Sequence, residues 1–116
     1  MQRFRMMNVY VTAVLLLLVG AITAVTVPKQ ASKKANIAID NFKFTPKELS
    51  IAVGDTVTWV NRDDVPHTVT SKDDPAVLDS KALDTDDKFS FTFTTPGTYK
   101  YYCKVHTHMT GSITVK

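Results

Sequence analysis

The sequence predicts an all-β fold, a two-sheet Greek-key β-sandwich preceded by an N-terminal apolar helix. Three observations support this prediction. Short apolar segments that alternate with polar residues recur between residues 36 and 116, and turn residues separate them. No stretch of that region shows sustained helical periodicity. One long apolar run, residues 9–27, comes before all of these segments. Seven or eight short strands at this spacing are typical of a sandwich.

The N-terminal segment has the composition of an export element. Arg3 and Arg5 precede the apolar run, and no acidic residue accompanies them. About 18 or more apolar residues favour an uncleaved membrane anchor over a signal peptide, whose apolar part is shorter. We therefore assign residues 1–28 to a signal peptide or membrane anchor, 29–35 to a polar tether and 36–116 to the folded domain. The basic flank would leave that domain on the periplasmic or extracellular face.

The first half of the domain contains four predicted strands. Apolar residues at alternate positions indicate most of them. The last is predicted to begin directly after Pro66, because a proline lacks an N–H and suits the start of a strand. The strands lie around Ile37 and Ile39 with Phe42 and Phe44 following, then at residues 49–53, 56–60 and 67–70. Turns are predicted at Thr45-Pro46, at Gly54-Asp55 and at residues 61–64.

The second half begins with an irregular, aspartate-rich segment at residues 71–87. Clustered carboxylates can bind calcium, but the glycine-containing loop pattern is missing, so a solvated loop is the better interpretation. Three strands follow, with a type II turn predicted at Pro96-Gly97. Their inward-facing residues are predicted to be Phe89, Phe91 and Phe93, then Tyr99, Tyr101 and Cys103, then Ile113 and Val115 after Gly111.

The residues that favour soft metals cluster near the C-terminus. Cys103, His106 and Met109 follow one another at three-residue steps, and the pattern allows His67 to complete the site from another strand. One thiolate, two imidazoles and a weak axial thioether are the ligands of a blue-copper site. Zinc also binds Cys and His, but Met is not among its usual ligands, so copper is favoured. His108 remains an alternative to His106, although Met109 directly after it could hardly turn back to the same ion.

Charge and residue content exclude several function classes. The formal net charge of +3 belongs to the flanks, because residues 36–116 contain nine Lys or Arg against eleven Asp or Glu. The lysines of the domain are scattered singly along the sequence, which does not predict a nucleic-acid-binding patch. Three histidines in total cannot build an additional copper site, and no acid–base arrangement stands out, so we predict that the protein is not an enzyme.

These motifs resemble the cupredoxins, type 1 blue copper proteins, and specifically the amicyanin/plastocyanin group. The resemblance covers nearly all of residues 36–116, and it rests on VGDTVTWVNR at 53–62, Pro66-His67, Gly97-Thr98-Tyr99 and Y-C-x-x-H-x-x-M-x-G at 102–111. It implies a copper β-sandwich in which His67, Cys103 and His106 are the trigonal ligands and Met109 is axial. It also implies that Asn61 braces the ligand loop; from its position alone, Asn61 is equally a turn residue.

The resemblance further implies electron exit through His106, surrounded by Val65, Pro66, Val105 and His108. Amicyanin carries prolines and a phenylalanine in the ligand loop where this chain has Val105, Thr107 and His108, so its partner, methylamine dehydrogenase, is not carried over. We expect a monomeric carrier of single electrons that docks transiently with a redox donor and a redox acceptor. A copper-binding protein for copper delivery or storage is the alternative.

Overall fold

The computed structural model describes residues 20, 31–73 and 76–116. These residues form eight β-strands in two four-stranded sheets. The strands are β1 Lys34–Asp40, β2 Lys43–Thr45, β3 Glu48–Ile51, β4 Thr56–Asn61, β5 Thr70–Ser71, β6 Lys88–Thr92, β7 Gly97–Tyr102 and β8 Thr110–Val115. One sheet has the order β2-β1-β4-β6, and the other has the order β3-β8-β7-β5. The predicted two-sheet sandwich is therefore confirmed.

Alternation along the central strands produces the core between the sheets. In β4, Val57 and Trp59 are buried while their neighbours are half-exposed, and β8 repeats this pattern with Ile113 and Val115. Tyr101 of β7 contacts Trp59 in an edge-to-face arrangement with ring centroids 5.5 Å apart. Burial of these side chains supplies most of the stabilisation of a domain this small.

Two strand pairs, β1–β4 and β3–β8, are parallel. The direction of β1 determines at which end of the sandwich the described domain begins. β1 runs parallel to β4, with Lys34 opposite Thr56 and Ile39 opposite Asn61. The backbone N–H of Lys33 donates to the Asp55 carboxylate at 2.9 Å, beside the start of β1. That bond lowers the pKa of Asp55. The chain thus enters at one end of the sandwich, and β1 leads to the other.

Three local predictions differ from the structure. The strand predicted at residues 67–70 is only Thr70–Ser71, because the N–H of Thr68 turns towards the sulfur of Cys103 at 3.3 Å. Gly97 has a φ of 150° and begins β7, whereas the second central residue of a type II turn has a φ of about 80°. Only Phe93 of the three alternating phenylalanines is fully buried, because β6 lies at the edge of its sheet.

The segment between β5 and β6 is irregular, as predicted. Its described residues form two isolated bridges, His67 with Leu83 and Thr70 with Asp79. The predicted N-terminal helix and the anchor or signal at residues 1–28 lie outside the described residues, apart from Gly20. Within the part of the chain that the structure describes, no helix is long and apolar enough to span a membrane.

Candidate metal centre

The C-terminal cluster of the sequence forms a tight loop between two strands. Cys103 directly follows β7, and Met109 directly precedes β8. The N–H of Cys103 donates to the carbonyl of Met109 at 3.1 Å, and the N–H of Met109 donates to the carbonyl of His106 at 2.9 Å. These two bonds fix the shape of the loop through its backbone, so the conformation does not depend on prolines.

Three donor atoms converge at this end of the sandwich. The Sγ of Cys103 lies 3.8 Å from the Nδ1 of His67 and 3.8 Å from the Nδ1 of His106, and the two nitrogens are 3.1 Å apart. A point equidistant from the three atoms is about 2.1 Å from each, within the range of about 2.0 to 2.3 Å for bonds from imidazole nitrogen and thiolate sulfur to zinc, another first-row ion. The triangle therefore fits one ion.

The donors differ in their access to solvent. His67 and Cys103 are fully buried, Met109 is almost fully buried, and His106 is half-buried. A buried thiol is shielded from oxidants, and the half-buried imidazole leaves one edge of the site open to a docking partner. No other group of three or more His, Cys, Asp or Glu side chains with the spacing of a metal site occurs among the described residues. The aspartates of residues 71–87 that the structure describes thus form no such group.

Thr68 joins the two segments that carry the donors. Its backbone N–H points at the sulfur of Cys103 at 3.3 Å, and its side-chain oxygen accepts the N–H of Lys104 at 2.8 Å. A hydrogen bond to sulfur stabilises the thiolate form, which is the form that binds metal. Thr68 was not among the predicted site residues, although its position directly after His67 was a signal.

Asp63 fixes the orientation of the His67 ring. Its carboxylate lies 2.7 Å from the Nε2 of His67. Partial burial by itself would raise the pKa of Asp63, but hydrogen bonds from the N–H of Phe42, the imidazole of His67 and the N–H of Asn41 lower the pKa overall. An ionised carboxylate only accepts hydrogen bonds, so Nε2 carries the proton and the lone pair of Nδ1 faces the triangle.

Phe42 covers the two imidazoles from the tip of the β1–β2 hairpin. Its ring packs edge-on against His67, with centroids 5.4 Å apart, and against His106, with centroids 4.9 Å apart. Asn41 and Phe42 both have positive φ, 50° and 57°, and their N–H groups donate to the Asp63 carboxylate at 2.7 and 2.9 Å. Phe42 was predicted only as part of a strand pattern. The signal for its role was an aromatic residue in an otherwise polar turn.

Asn61 holds the segment that leads to His67. Its amide nitrogen donates to the carbonyls of Val65 and Leu83 at 2.9 and 2.8 Å, and its amide oxygen accepts the N–H of Asp63 at 2.9 Å. Among the described residues, these bonds do not reach the loop from Cys103 to Met109. The side-chain bond to the loop backbone comes from Thr68, and the role expected for Asn61 in bracing the loop stays a prediction.

The residues expected around the exit from the site differ in exposure. Val105 is 58% exposed, and Pro66 and His108 are exposed, whereas Val65 and His106 are half-buried. His108 lines a cavity of about 280 Å³ that Met109 also lines, together with Lys43, Phe44, Lys47 and Thr110. His108 is not a member of the donor triangle, so the structure gives His106 the position that the loop spacing favoured.

A two-sheet sandwich that brings two imidazoles and one thiol together at one end, with a buried methionine beside them, defines a mononuclear soft-metal protein of the blue-copper class. Comparisons with known proteins agree. Residues 31–116 match the family described as copper binding proteins, plastocyanin/azurin family. The chain therefore belongs to this family.

Individual relatives are similar over the same region. The chain is 37% identical over 83 residues to amicyanin of Paracoccus denitrificans, covering 69% of this chain and 63% of that protein. It is 37% identical over 111 residues to chloroplastic plastocyanin of Physcomitrium patens, covering 86% of this chain and 62% of that protein. A solved structure of a purple cupredoxin from Nitrosopumilus maritimus superposes with a TM-score of 0.65 at 38% identity, covering 71% of this chain and 99% of that one. The chain thus spans a little under two thirds of the length of the first two relatives.

Proposed function

We propose that this protein is a small exported type 1 blue copper protein that carries single electrons between redox partners. The single observation that supports this most strongly is the triangle formed by one sulfur and two imidazole nitrogens. The cofactor is one type 1 copper ion, which supplies one-electron chemistry by cycling between Cu(II) and Cu(I). The role of the chain is to hold the donors in a geometry that serves both states.

In this proposal His67, Cys103 and His106 would hold the copper ion, and the thioether of Met109 would add a weak fourth contact. Hydrogen bonds fix the donors before any ion binds: Asp63 orients one imidazole, and the loop backbone bonds place the others. Little rearrangement is then needed when the charge of the site changes by one. A small rearrangement is the property that an electron carrier requires.

His106 is the proposed exit for the electron, because it is the one imidazole of the triangle with solvent exposure. The exposed side chains of Val105, Pro66 and Phe42 would form the apolar centre of a transient docking surface. Such a surface suits a monomer that meets a redox donor and a redox acceptor in turn. Apolar centres with polar rims are usual for protein–protein contacts.

The proposed compartment is the periplasmic or extracellular side, with residues 1–28 as a signal or an anchor and 9–27 as the membrane attachment. The apolar length of residues 9–27 favours the anchor. Fractionation of cells that express the full-length chain tests this. Recovery in the membrane phase, with release only by detergent, is expected; recovery in the soluble phase with a shortened N-terminus would replace the anchor with a cleaved signal.

Copper titration tests the function. Copper(II) added to the metal-free full-length chain should produce an intense thiolate-to-copper charge-transfer band in the visible spectrum. Cys103→Ser should abolish the band, and His106→Asn should shift it strongly. His108→Asn is the matched control and should leave it unchanged. A colourless complex of normal affinity, or equal effects of the two histidine substitutions, would remove the basis for the carrier proposal.

A copper-delivery protein is the second candidate, and one observation favours it: the exposed His108 lines a cavity together with Met109. A delivery protein would use these side chains as a landing site for copper on its way in or out. Fast release of copper to a chelator, lost in His108→Asn, would favour delivery. Slow release together with fast electron self-exchange favours the carrier.

A further inference from the structure

The fold collects four lysines on one face beside the ligand loop. Two neighbouring cavities lie there, of about 280 and 220 Å³, and Lys47 and Thr110 line both. We call this surface the basic face and define it by Lys43, Lys47, Lys72 and Lys100, which are all exposed. The backbone N–H of Lys72 bonds to the carbonyl of Lys100 at 3.2 Å, which holds two of the lysines side by side.

Basic residues outnumber acidic ones on this face, although Asp40 lies opposite Lys43 in the β1–β2 pair. Residues 36–116 contain nine Lys or Arg and eleven Asp or Glu. Four of the nine basic residues line the two cavities, against one acid, Glu48. No lysine of the basic face forms an ion pair with a carboxylate of the described residues. These lysines are scattered singly along the sequence, and β2, β7 and the loops around them bring the four together in the tertiary structure.

The basic face adjoins the proposed electron exit. His108 and Met109 line the cavity that also contains Lys43 and Lys47, and the N–H of Met109 bonds to the carbonyl of His106. Unpaired charges beside an exit side chain steer an oppositely charged partner into a productive encounter. We propose that the basic face is the docking site for a redox partner protein whose contact surface carries clustered carboxylates. This inference rests on the proposed electron-carrier function.

A protein partner fits the placement of this face better than an anionic lipid surface does. The chain enters the sandwich at Lys33, and the seven residues of β1 lead away from that end towards Phe42 at the metal centre, over a distance of about 20 Å. A membrane attachment through residues 9–27 would therefore hold the opposite end of the domain. The acidic residues of the rest of the domain would repel a long polyanion such as nucleic acid.

Binding to a carboxylate probe provides the first test, and it needs no metal. A short polyglutamate peptide is titrated into the isotope-labelled, metal-free full-length chain, and backbone amide shifts are followed by NMR. Shifts centred on Lys43, Lys47, Lys72 and Lys100 are expected, and they should be lost in Lys47→Glu. Lys88→Glu, on the exposed edge strand β6, is the matched control and should bind the peptide like the wild type. Shifts spread evenly over all lysines, or no binding at low ionic strength, would overturn the proposal.

The second test measures electron transfer from the reduced, copper-loaded chain to hexacyanoferrate(III). One electron leaves Cu(I), which becomes Cu(II), and iron(III) becomes iron(II). At low ionic strength Lys47→Glu should lower the second-order rate constant about threefold to tenfold, and added salt should remove the difference. The cationic oxidant tris(phenanthroline)cobalt(III) should show the opposite change. If Lys47→Glu and Lys88→Glu change the rate constant equally, only the net charge of the chain matters, and the proposal of a docking site at the basic face is overturned.

Failure of this inference is distinguishable from failure of the proposed function. A wild-type chain that lacks the charge-transfer band fails as an electron carrier, whatever the lysines do. If the wild-type chain is blue and transfers electrons with no preference for an anionic oxidant, the electron-carrier proposal stands and only the docking site at the basic face is refuted. A lipid contact is tested by reconstitution in phosphatidylcholine vesicles with or without phosphatidylserine. Slower transfer in the presence of phosphatidylserine, for the wild type but not for Lys47→Glu, would overturn the protein-partner assignment.

Discussion

The Nε2 of His67 lies 2.7 Å from a carboxylate oxygen of Asp63, while the Nδ1 of the same ring faces Cys103 and His106. One carboxylate therefore decides which nitrogen of a buried imidazole is free to bind a metal. The same carboxylate accepts the backbone N–H groups of Asn41 and Phe42. Asp63 thus couples the metal centre to the hairpin tip whose phenylalanine covers it.

Removal of the Asp63 carboxylate should weaken copper binding. Asp63→Ala leaves the His67 ring free to change tautomer and orientation, and loss of such an outer partner typically lowers metal affinity about 10- to 100-fold. Competition of the full-length chain with a chelator for copper(II) measures the affinity. The affinity of Asp63→Asn should lie between those of the wild type and Asp63→Ala. The exposed neighbour Asp64 supplies the control, because Asp64→Ala should bind like the wild type. Wild-type affinity in Asp63→Ala would refute the role of this carboxylate.

Loss of the Phe42 ring should make the copper more accessible. An edge-to-face ring contact contributes about 0.5 to 1.5 kcal/mol, and Phe42 makes two, so Phe42→Ala should accelerate extraction of copper by a chelator roughly fivefold to 150-fold. The ring is 48% exposed, so the free energy of unfolding of the metal-free chain should change little. Val53→Ala removes a similarly exposed apolar side chain, 45% exposed, at a different site. If both variants release copper at the same rate, the Phe42 ring does not protect the metal centre.

Gly111 is required by the Tyr101 ring that packs across it. A Cβ at position 111 would overlap the Cζ and Oη atoms of Tyr101, which is fully buried. Gly111→Ala should therefore lower the free energy of unfolding of the metal-free chain by about 1 to 3 kcal/mol, measured in urea. Tyr101→Leu removes the obstructing atoms, so Gly111→Ala should cost much less in that background. An equal cost in both backgrounds would mean that the backbone, and not the ring, excludes the side chain.

Tyr101 should limit stability in alkali. Burial raises its pKa from 10.0 to about 12, and the neighbouring Trp59 indole offsets part of that rise. Below pH 10 both the folded and the unfolded chain keep the phenol proton, so the stabilisation is fully present. As the pH rises from 10 to about 12 the unfolded chain loses the proton first, and about 2 to 3 kcal/mol of stability should be lost.

Tyr101→Phe removes this alkaline contribution. The phenol oxygen has no hydrogen-bond partner of good geometry among the described residues, so the substitution should change stability little at neutral pH. Urea unfolding as a function of pH should then show a smaller decline above pH 10 than the wild type does. Tyr102→Phe, at the half-buried next position, is the control. Identical alkaline declines in the wild type and Tyr101→Phe would show that other groups cause the loss.

Much of the fold was predictable because strand alternation is a local property. Apolar residues two apart, such as Ile37 and Ile39 or Ile113 and Val115, face the same side of a strand whatever surrounds them. The shortened strand after His67 was not predictable. Its backbone leaves the regular ladder to reach the sulfur of Cys103, which is 35 residues away from Thr68.

The sequence by itself determined the donor types and their spacing, because Cys103, His106 and Met109 are close in the chain and only a few conformations of so short a loop exist. Only the tertiary structure decided what supports and surrounds them. Thr68, Phe42 and the lysines of the basic face act across elements that are distant in sequence. Asp63 is only four residues from His67, but it is held by N–H groups of the distant β1–β2 hairpin. Their contacts depend on how the two sheets and their loops pack, and no local pattern records that packing.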